Sequence, residues 1–476
     1  MEKYDLIIKN ANVVSPENTI LCDIAVKDEK IAGLGSYDAK DAAKCIDAAG
    51  KYVMPGGVEA HMHCHCPFQG VTGKIDFDTQ SVAAVYGGVT TYMDFSNMSR
   101  GQSPYQQVLE RAKEMEKSII DYGVHGKFLD ATPEAVADME KLVENGFPTF
   151  KIFMTYDVMC NDADMDVLFK KASELHAMPM VHCEDNTIAT ENDKKFKEAG
   201  DTSWPRFADS KPVECEAEAF KRAVGCATKN NSALLVVHTT TDLALSVARE
   251  VQKDKFPLYV ETGPHYLTLT RKLYDDPQRG HLAICSPPLR TEKEQAELWA
   301  GIQDGTIRLI GSDDCSFYFS EKSMNLQKDE DGNWIEPNYM KVVNGLSGLE
   351  LRLPLMLSEG VNKGRISINK VCELTSTNVA KIYGCYPQKG AIAVGSDADL
   401  VIVDMDKKVT LNQDVLHNGM DYCLHEGMEV TGWPVTTIAR GTVLMEDRAF
   451  KGVDHKGKLI RRHIDAARFE TCDLNK

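Results

Sequence analysis

The stretch VEAHMHCHC, residues 58–66, packs three histidines and two cysteines into its last six positions, and its reading decides the fold. Its first part continues a β-branched, apolar run, YVMPGGVEAHMH (52–63), which places His61 and His63 at the end of a strand. Residues i and i+2 of a strand point the same way, so the two imidazoles share one face and Met62 takes the other. Cys64, His65 and Cys66 follow where the strand runs out into a loop, and they read as rim residues. A thiolate ligand suits a closed structural zinc better than a hydrolytic one with an open position.

Seven similar runs follow: GVTTYMDF (88–95), YGVHGKFL (122–129), TFKIFMTY (149–156), PMVHCED (179–185), ALLVVHTT (233–240), PLYVETG (257–263) and IRLIGSDD (307–314). Helix punctuation lies between them. Ser103-Pro104-Tyr105-Gln106 has the form of a capping box with proline at the first helical position, and Thr132-Pro133 opens a helix that stops at Asn145-Gly146. Repeated βα units in this number predict an α/β fold, a (β/α)8 TIM-like barrel; strand count alone also suits an open doubly wound sheet.

Both ends of the chain read differently. DLIIKNANVV near the start, and GAIAVGSDADLVIVD and TTIARGTVLME near the end, are strand-and-turn text without helices between. They are expected to combine into one small β-sandwich domain. The expected boundaries are 1–53 and 389–449 for the two parts of the sandwich, 54–388 for the barrel, and 450–476 for a basic C-terminal arm around KGKLIRRHI.

Lysine and arginine number 54 against 71 aspartates and glutamates, a formal charge of −17. That balance argues against nucleic acid or an anionic membrane surface as partner. The fourteen cysteines are scattered from Cys22 to Cys472, without the compact spacing of a disulfide framework. With no signal-peptide pattern and no run long enough to span a bilayer, the expected setting is cytoplasmic.

The polar residues that matter sit at strand ends: His61 and His63 on the first, Lys151 in the fourth, His182 on the fifth, His238 on the sixth and Asp313 on the eighth. In a barrel the C-terminal strand ends converge on one point, where active sites lie. Any one of these histidines, alone, fits an ordinary buried hydrogen-bonded side chain. The set has the composition of a metal site. Lys151 as an ammonium would repel a cation. As a neutral amine it can take up carbon dioxide and become a carbamate able to bridge two metals, and from chemistry alone that reading stands beside a salt-bridging lysine.

The motifs HMH, KIFMTY, VHCED, VVHTTT and GSDD, in this order, resemble those of cyclic amidohydrolases. With PGGVEAHMH, CPFQG, SKPVECEAEA, VETGPHYL, CSPPLR and GAIAVGSDADLVIVD, the text most resembles the hydantoinase and dihydropyrimidinase branch over nearly the whole chain. The resemblance implies two zinc ions per subunit. His61, His63, N6-carboxylated Lys151 and Asp313 would hold one; Lys151, His182 and His238 would hold the other. It further implies Asp313 as general base, Tyr156 as donor to the substrate carbonyl and developing oxyanion, and backbone groups of Ser286 and Asn344 as partners of the cyclic amide. The implied reaction opens a 5-substituted hydantoin or dihydropyrimidine to an N-carbamoyl amino acid by a metal-bridging hydroxide, in a homotetramer.

Some positions depart from the pattern: Glu59 stands in place of aspartate, Asp314 in place of histidine, and Gly263 and His265 in place of cysteine and glutamine. A second carboxylate beside Asp313 is expected to raise that residue's pKa by repulsion. The pocket for the 5-substituent is expected from Cys64, Cys66, Phe68 and residues 153–158. Two rival readings are an allantoinase-like ring hydrolase and a non-catalytic assembly protein of the same fold. His65 stands where dihydroorotases place an arginine, which turns the text away from that activity.

Overall fold

The computed structural model describes residues 3–452 and 454–475. Five strands open the chain: β1 (Tyr4–Val14), β2 (Thr19–Lys27), β3 (Lys30–Gly35), β4 (Ala42–Asp47) and β5 (Tyr52–Pro55). The barrel begins with β6 (Gly57–Met62), followed by a short hairpin, β7 (Pro67–Phe68) and β8 (Val71–Thr72). It continues through β9 (Val89–Phe95), β10 (Asp121–Lys127), β11 (Thr149–Phe153), β12 (Met178–His182), β13 (Leu234–Val236), β14 (Leu258–Thr262) and β15 (Leu309–Ile310). Four more strands close the β domain: β16 (Leu400–Thr410), β17 (Glu429–Ala439), β18 (Thr442–Glu446) and β19 (Ala449–Phe450).

Strands β6 and β9 to β15 are parallel neighbours in chain order. A bridge between Met62 and Asp314 joins the two ends of this sheet, with the His63 amide donating to the Asp314 carbonyl at 2.6 Å. The barrel is therefore closed at the point where HMH meets SDD. Its strands are buried along almost their full length, as parallel strands covered by helices must be. Asp76 caps α1 (Phe77–Tyr86), a start not among those expected. The next two helices start where the sequence predicts: Ser103 accepts from the Gln106 amide at the start of α2 (Pro104–Glu114), and Thr132 accepts from the Ala135 amide at the start of α3 (Pro133–Glu144).

The run 52–63, expected as one strand, is two strands in different sheets. Gly56 divides them, and a Cβ there would collide with the Thr90 side chain, so only glycine lets the chain cross from one domain to the other. β5 pairs with β1 on one side and antiparallel to β16 on the other, matching Val53 with Ile402, so both chain ends build one β domain with its own apolar core. Lys389 ties that domain to the barrel: its buried ammonium lies 2.6 Å from Asp121 at the head of β10, 2.6 Å from Asp399 and 2.9 Å from Asp397.

From Leu459 onward the basic C-terminal segment packs on its own barrel. Ile460, Ile464, Cys472 and Leu474 join a buried cluster with Val58, Ala60 and Tyr383, and Arg462 donates to the Val124 carbonyl at 2.7 Å. Among the described residues no helix is long and apolar enough to cross a membrane.

Candidate metal centre

The geometry converges at the C-terminal mouth of the barrel. His61 Nε2 and His63 Nε2 lie 3.1 and 3.3 Å from the same oxygen, Asp313 Oδ1, and Lys151 Nζ lies 3.2 Å from His61 Nε2. Met62 points the other way, into the layer between strands and helices. The His238 ring stands 5.3 Å from that of His61, and His182 Nδ1 faces His238 Nε2 at 2.9 Å. The six residues thus gather at one mouth: His61, His63 and Asp313 as one group of donors with Lys151 against His61, and His182 with His238 as a pair of nitrogens.

Two of the histidines are oriented by carboxylates behind them. Glu261 Oε1 lies 2.5 Å from His61 Nδ1, and Glu184 Oε2 lies 2.7 Å from His182 Nε2. A proton held on each of those outer nitrogens leaves the inner one, His61 Nε2 or His182 Nδ1, with its lone pair directed into the site, the arrangement that metal-binding histidines need. Three of the converging residues also pay for their placement in backbone conformation: Tyr156, His238 and Asp313 have φ of 68°, 38° and 47°, in the left-handed region where non-glycine residues are strained.

The charges fit a cation. Burial and Lys151 push His61 down, but the Glu261 and Asp313 carboxylates outweigh them and hold it at about 9. That field favours positive charge at the point where a metal ion would sit. Burial drags His63 to about 3 and lowers His182 and His238 as well, so these rings are neutral donors. Burial raises the Asp313 carboxyl, yet the neighbouring histidines overcome it and keep the group ionised. Lys151 is pulled down to about 8, chiefly by burial, against the opposing pull of Asp313 and Glu261.

Beside this cluster lies a second network. Tyr156 donates to Ser286 Oγ and accepts from Lys211 Nζ at 2.8 Å and Asn344 Nδ2 at 3.1 Å. Lys211 also reaches Glu184 at 3.0 Å, and Ser286 donates to that carboxylate at 2.6 Å. A cavity of about 570 Å³ connects both networks, lined among others by His63, Asp313, Tyr156, Ser286 and Asn344. The β7–β8 hairpin forms part of its wall and is pinned by Gln69, whose Oε1 accepts from the Asn344 amide at 2.9 Å. That backbone donor, expected to face the cyclic amide, is therefore engaged within the chain.

Cys66, Phe68, Phe153, Tyr156 and Val158 line this cavity as expected. Cys64 does not: its thiol points toward the Ile75 carbonyl at 3.4 Å inside the core, and Met154 is likewise core. Asp314 also differs from expectation. It faces away from the site, where Gln80, Ser316 and the amides of Gly348 and Leu349 supply it with donors, and Asp313 is lowered, not raised. Glu59 accepts from the amides of His61 and Ser312 at 2.8 and 3.0 Å, which fixes the ends of the first and last barrel strands. Gly263 and His265 belong together, because a Cβ at 263 would collide with the His265 ring.

The model of the amidohydrolase family matches residues 52–444. The chain belongs to the amidohydrolase family. Among its relatives, a D-hydantoinase of Geobacillus stearothermophilus is 35% identical over 96% of this chain and 96% of that protein, and a D-hydantoinase of Ralstonia pickettii is 36% identical over 96% and 99%. The crystal structure of a dihydropyrimidinase from Brevibacillus agri superposes with a TM-score of 0.92 at 34% identity, covering 97% of this chain and 99% of that one.

For this amidohydrolase the sequence motifs leave three residues without a role: Glu184, Lys211 and Glu261. Glu261 carries a signal, since an acid in the middle of the fully buried run LYVET needs a partner. Glu184 and Lys211 carry none, because their pairing spans two helical segments and the loop between them.

Proposed function

We propose that this amidohydrolase opens the ring of 5-substituted hydantoins or dihydropyrimidines, giving N-carbamoyl amino acids, with two zinc ions bridged by a carboxylated Lys151. The observation that carries this reading is the convergence of His61, His63 and Asp313 beside Lys151, with the His182–His238 pair adjoining His61. His61, His63, Lys151 and Asp313 would hold one ion; Lys151, His182 and His238 the other. When bound, the ions supply Lewis acidity to the ring carbonyl and to the attacking water.

The chain's own groups do the rest. Asp313, ionised and at the cavity wall, takes the proton of the attacking water and returns it to the leaving ring nitrogen. The Tyr156 hydroxyl turns from Ser286 to the carbonyl oxygen and donates to it as charge develops there. Ser286 and Asn344, both within reach of that hydroxyl, hold the cyclic amide in register. All fourteen cysteines are free, which supports a reducing, cytoplasmic setting. A homotetramer is part of this reading on the family resemblance. Removal of metal with a chelator, followed by zinc and bicarbonate, tests it: ring opening of hydantoin and dihydrouracil must disappear and return. Activity indifferent to both treatments contradicts it.

A further inference from the structure

The cavity lining includes polar residues that ring opening does not use. Lys127 ends β10 and is the register partner of Lys151 on β11, so the two lysines stand on adjacent strands, about 4.8 Å apart at the backbone. It shares the parity of His125, whose ring is enclosed by Thr149 and the Ala60 carbonyl, and its ammonium lies 5.7 Å from the centre of the Phe153 ring at the cavity wall. Among the described residues no carboxylate lies within ion-pair distance of Lys127 and no acceptor receives a hydrogen bond from it. In a chain where acids outnumber bases by 71 to 54, an unpaired cation inside a substrate cavity stands out. The carboxylates lining the cavity are otherwise committed or remote: Asp313 lies between His61 and His63, and Asp157 is exposed at the rim.

The surroundings select the kind of anion. Asn97 and Gln107 line the same cavity, and Gln107 keeps one amide hydrogen free after donating to Glu110. Arg100 fixes the loop that carries Asn97, donating to the carbonyls of Leu129 and Met159 at 2.9 and 2.7 Å. One ammonium and two carboxamides match a single carboxylate with two acceptor oxygens better than a phosphate dianion. Phe68 and Val158, the apolar part of the lining, leave room for the short alkyl link.

We propose that the substituent at the 5-position of the natural substrate ends in a carboxylate, carried on a short alkyl chain and received by Lys127. The inference rests on the ring-hydrolase reading and names the substrate class of that site.

The experiment compares 5-(2-carboxyethyl)hydantoin with its neutral amide, 5-(2-carbamoylethyl)hydantoin, in the metal-loaded wild type, Lys127→Met and Lys127→Arg. The expected ratio of kcat/KM, acid over amide, exceeds tenfold in the wild type, falls to about one in Lys127→Met and is largely kept in Lys127→Arg. Calorimetric binding of the same two compounds gives the same comparison without turnover. A wild-type ratio near one, or an equal ratio in wild type and Lys127→Met, overturns the inference while leaving ring opening intact. Absence of ring opening with the binding preference retained would instead overturn the hydrolase reading alone.

Discussion

His61 Nδ1 lies 2.5 Å from Glu261 Oε1, a carboxylate contributed by β14, two strands away around the closed barrel. This contact aims the other ring nitrogen at Asp313. Replacing Glu261 with glutamine keeps the volume but weakens the pull on the ring. Metal affinity and ring-opening activity are expected to fall by about 10- to 100-fold, read by metal titration and kinetics. Unchanged affinity would mean that packing alone orients His61.

The depressed Lys151 amine sets a pH dependence for carboxylation. Because its pKa is pulled down to about 8, the reactive neutral amine grows about tenfold per pH unit below that value and levels off above it. At fixed dissolved carbon dioxide, reactivation of metal-stripped, decarboxylated protein must therefore accelerate up to about pH 8 and then plateau. Lys151→Ala must lose activity by at least about 100-fold, with partial rescue by short carboxylic acids in place of the carbamate.

Asp314 faces five donors and not the site. Asp314→His is expected to leave the acid limb of the pH–rate profile in place while costing about 1–3 kcal/mol of stability, since the amides of Gly348 and Leu349 lose a buried acceptor. A shifted acid limb at unchanged stability would reverse this assignment.

Lys389 holds three buried aspartates at the junction of the two domains. Lys389→Met leaves Asp397 to Lys30 and Asp121 to Arg440 but strands Asp399 with the Arg440 amide, and should destabilise by about 3–5 kcal/mol at neutral pH. Stranded carboxylates have folded-state pKa values above their unfolded ones, so the folded state binds more protons as pH falls. The deficit must therefore shrink toward about pH 4–5, seen as converging denaturation curves of variant and wild type.

Much of the fold and of the candidate metal centre is legible in the sequence because strands impose a simple code. His61 and His63 at i and i+2, and single polar residues closing otherwise apolar runs, identify a barrel mouth from the order of residues alone. Helix starts are equally local: Ser103 and Thr132 act within one turn of themselves. What the sequence leaves open depends on contacts between distant segments. The split at Gly56 follows from a Thr90 side chain on the next barrel strand, and the orientation of Asp314 follows from amides in a loop beyond residue 345. The partners Glu261 and Lys211 become visible only when β14 and the segment before residue 213 are brought to His61 and Tyr156.

The central claim is a two-metal ring hydrolase built on Lys151. The most direct measurement is elemental analysis of the purified protein by mass spectrometry, paired with absorbance assays of hydantoin, phenylhydantoin, dihydrouracil and allantoin opening. The account predicts about two zinc ions per chain and turnover of at least one hydantoin or dihydropyrimidine. A chain that holds no metal and opens none of these rings after zinc and bicarbonate are supplied would contradict it.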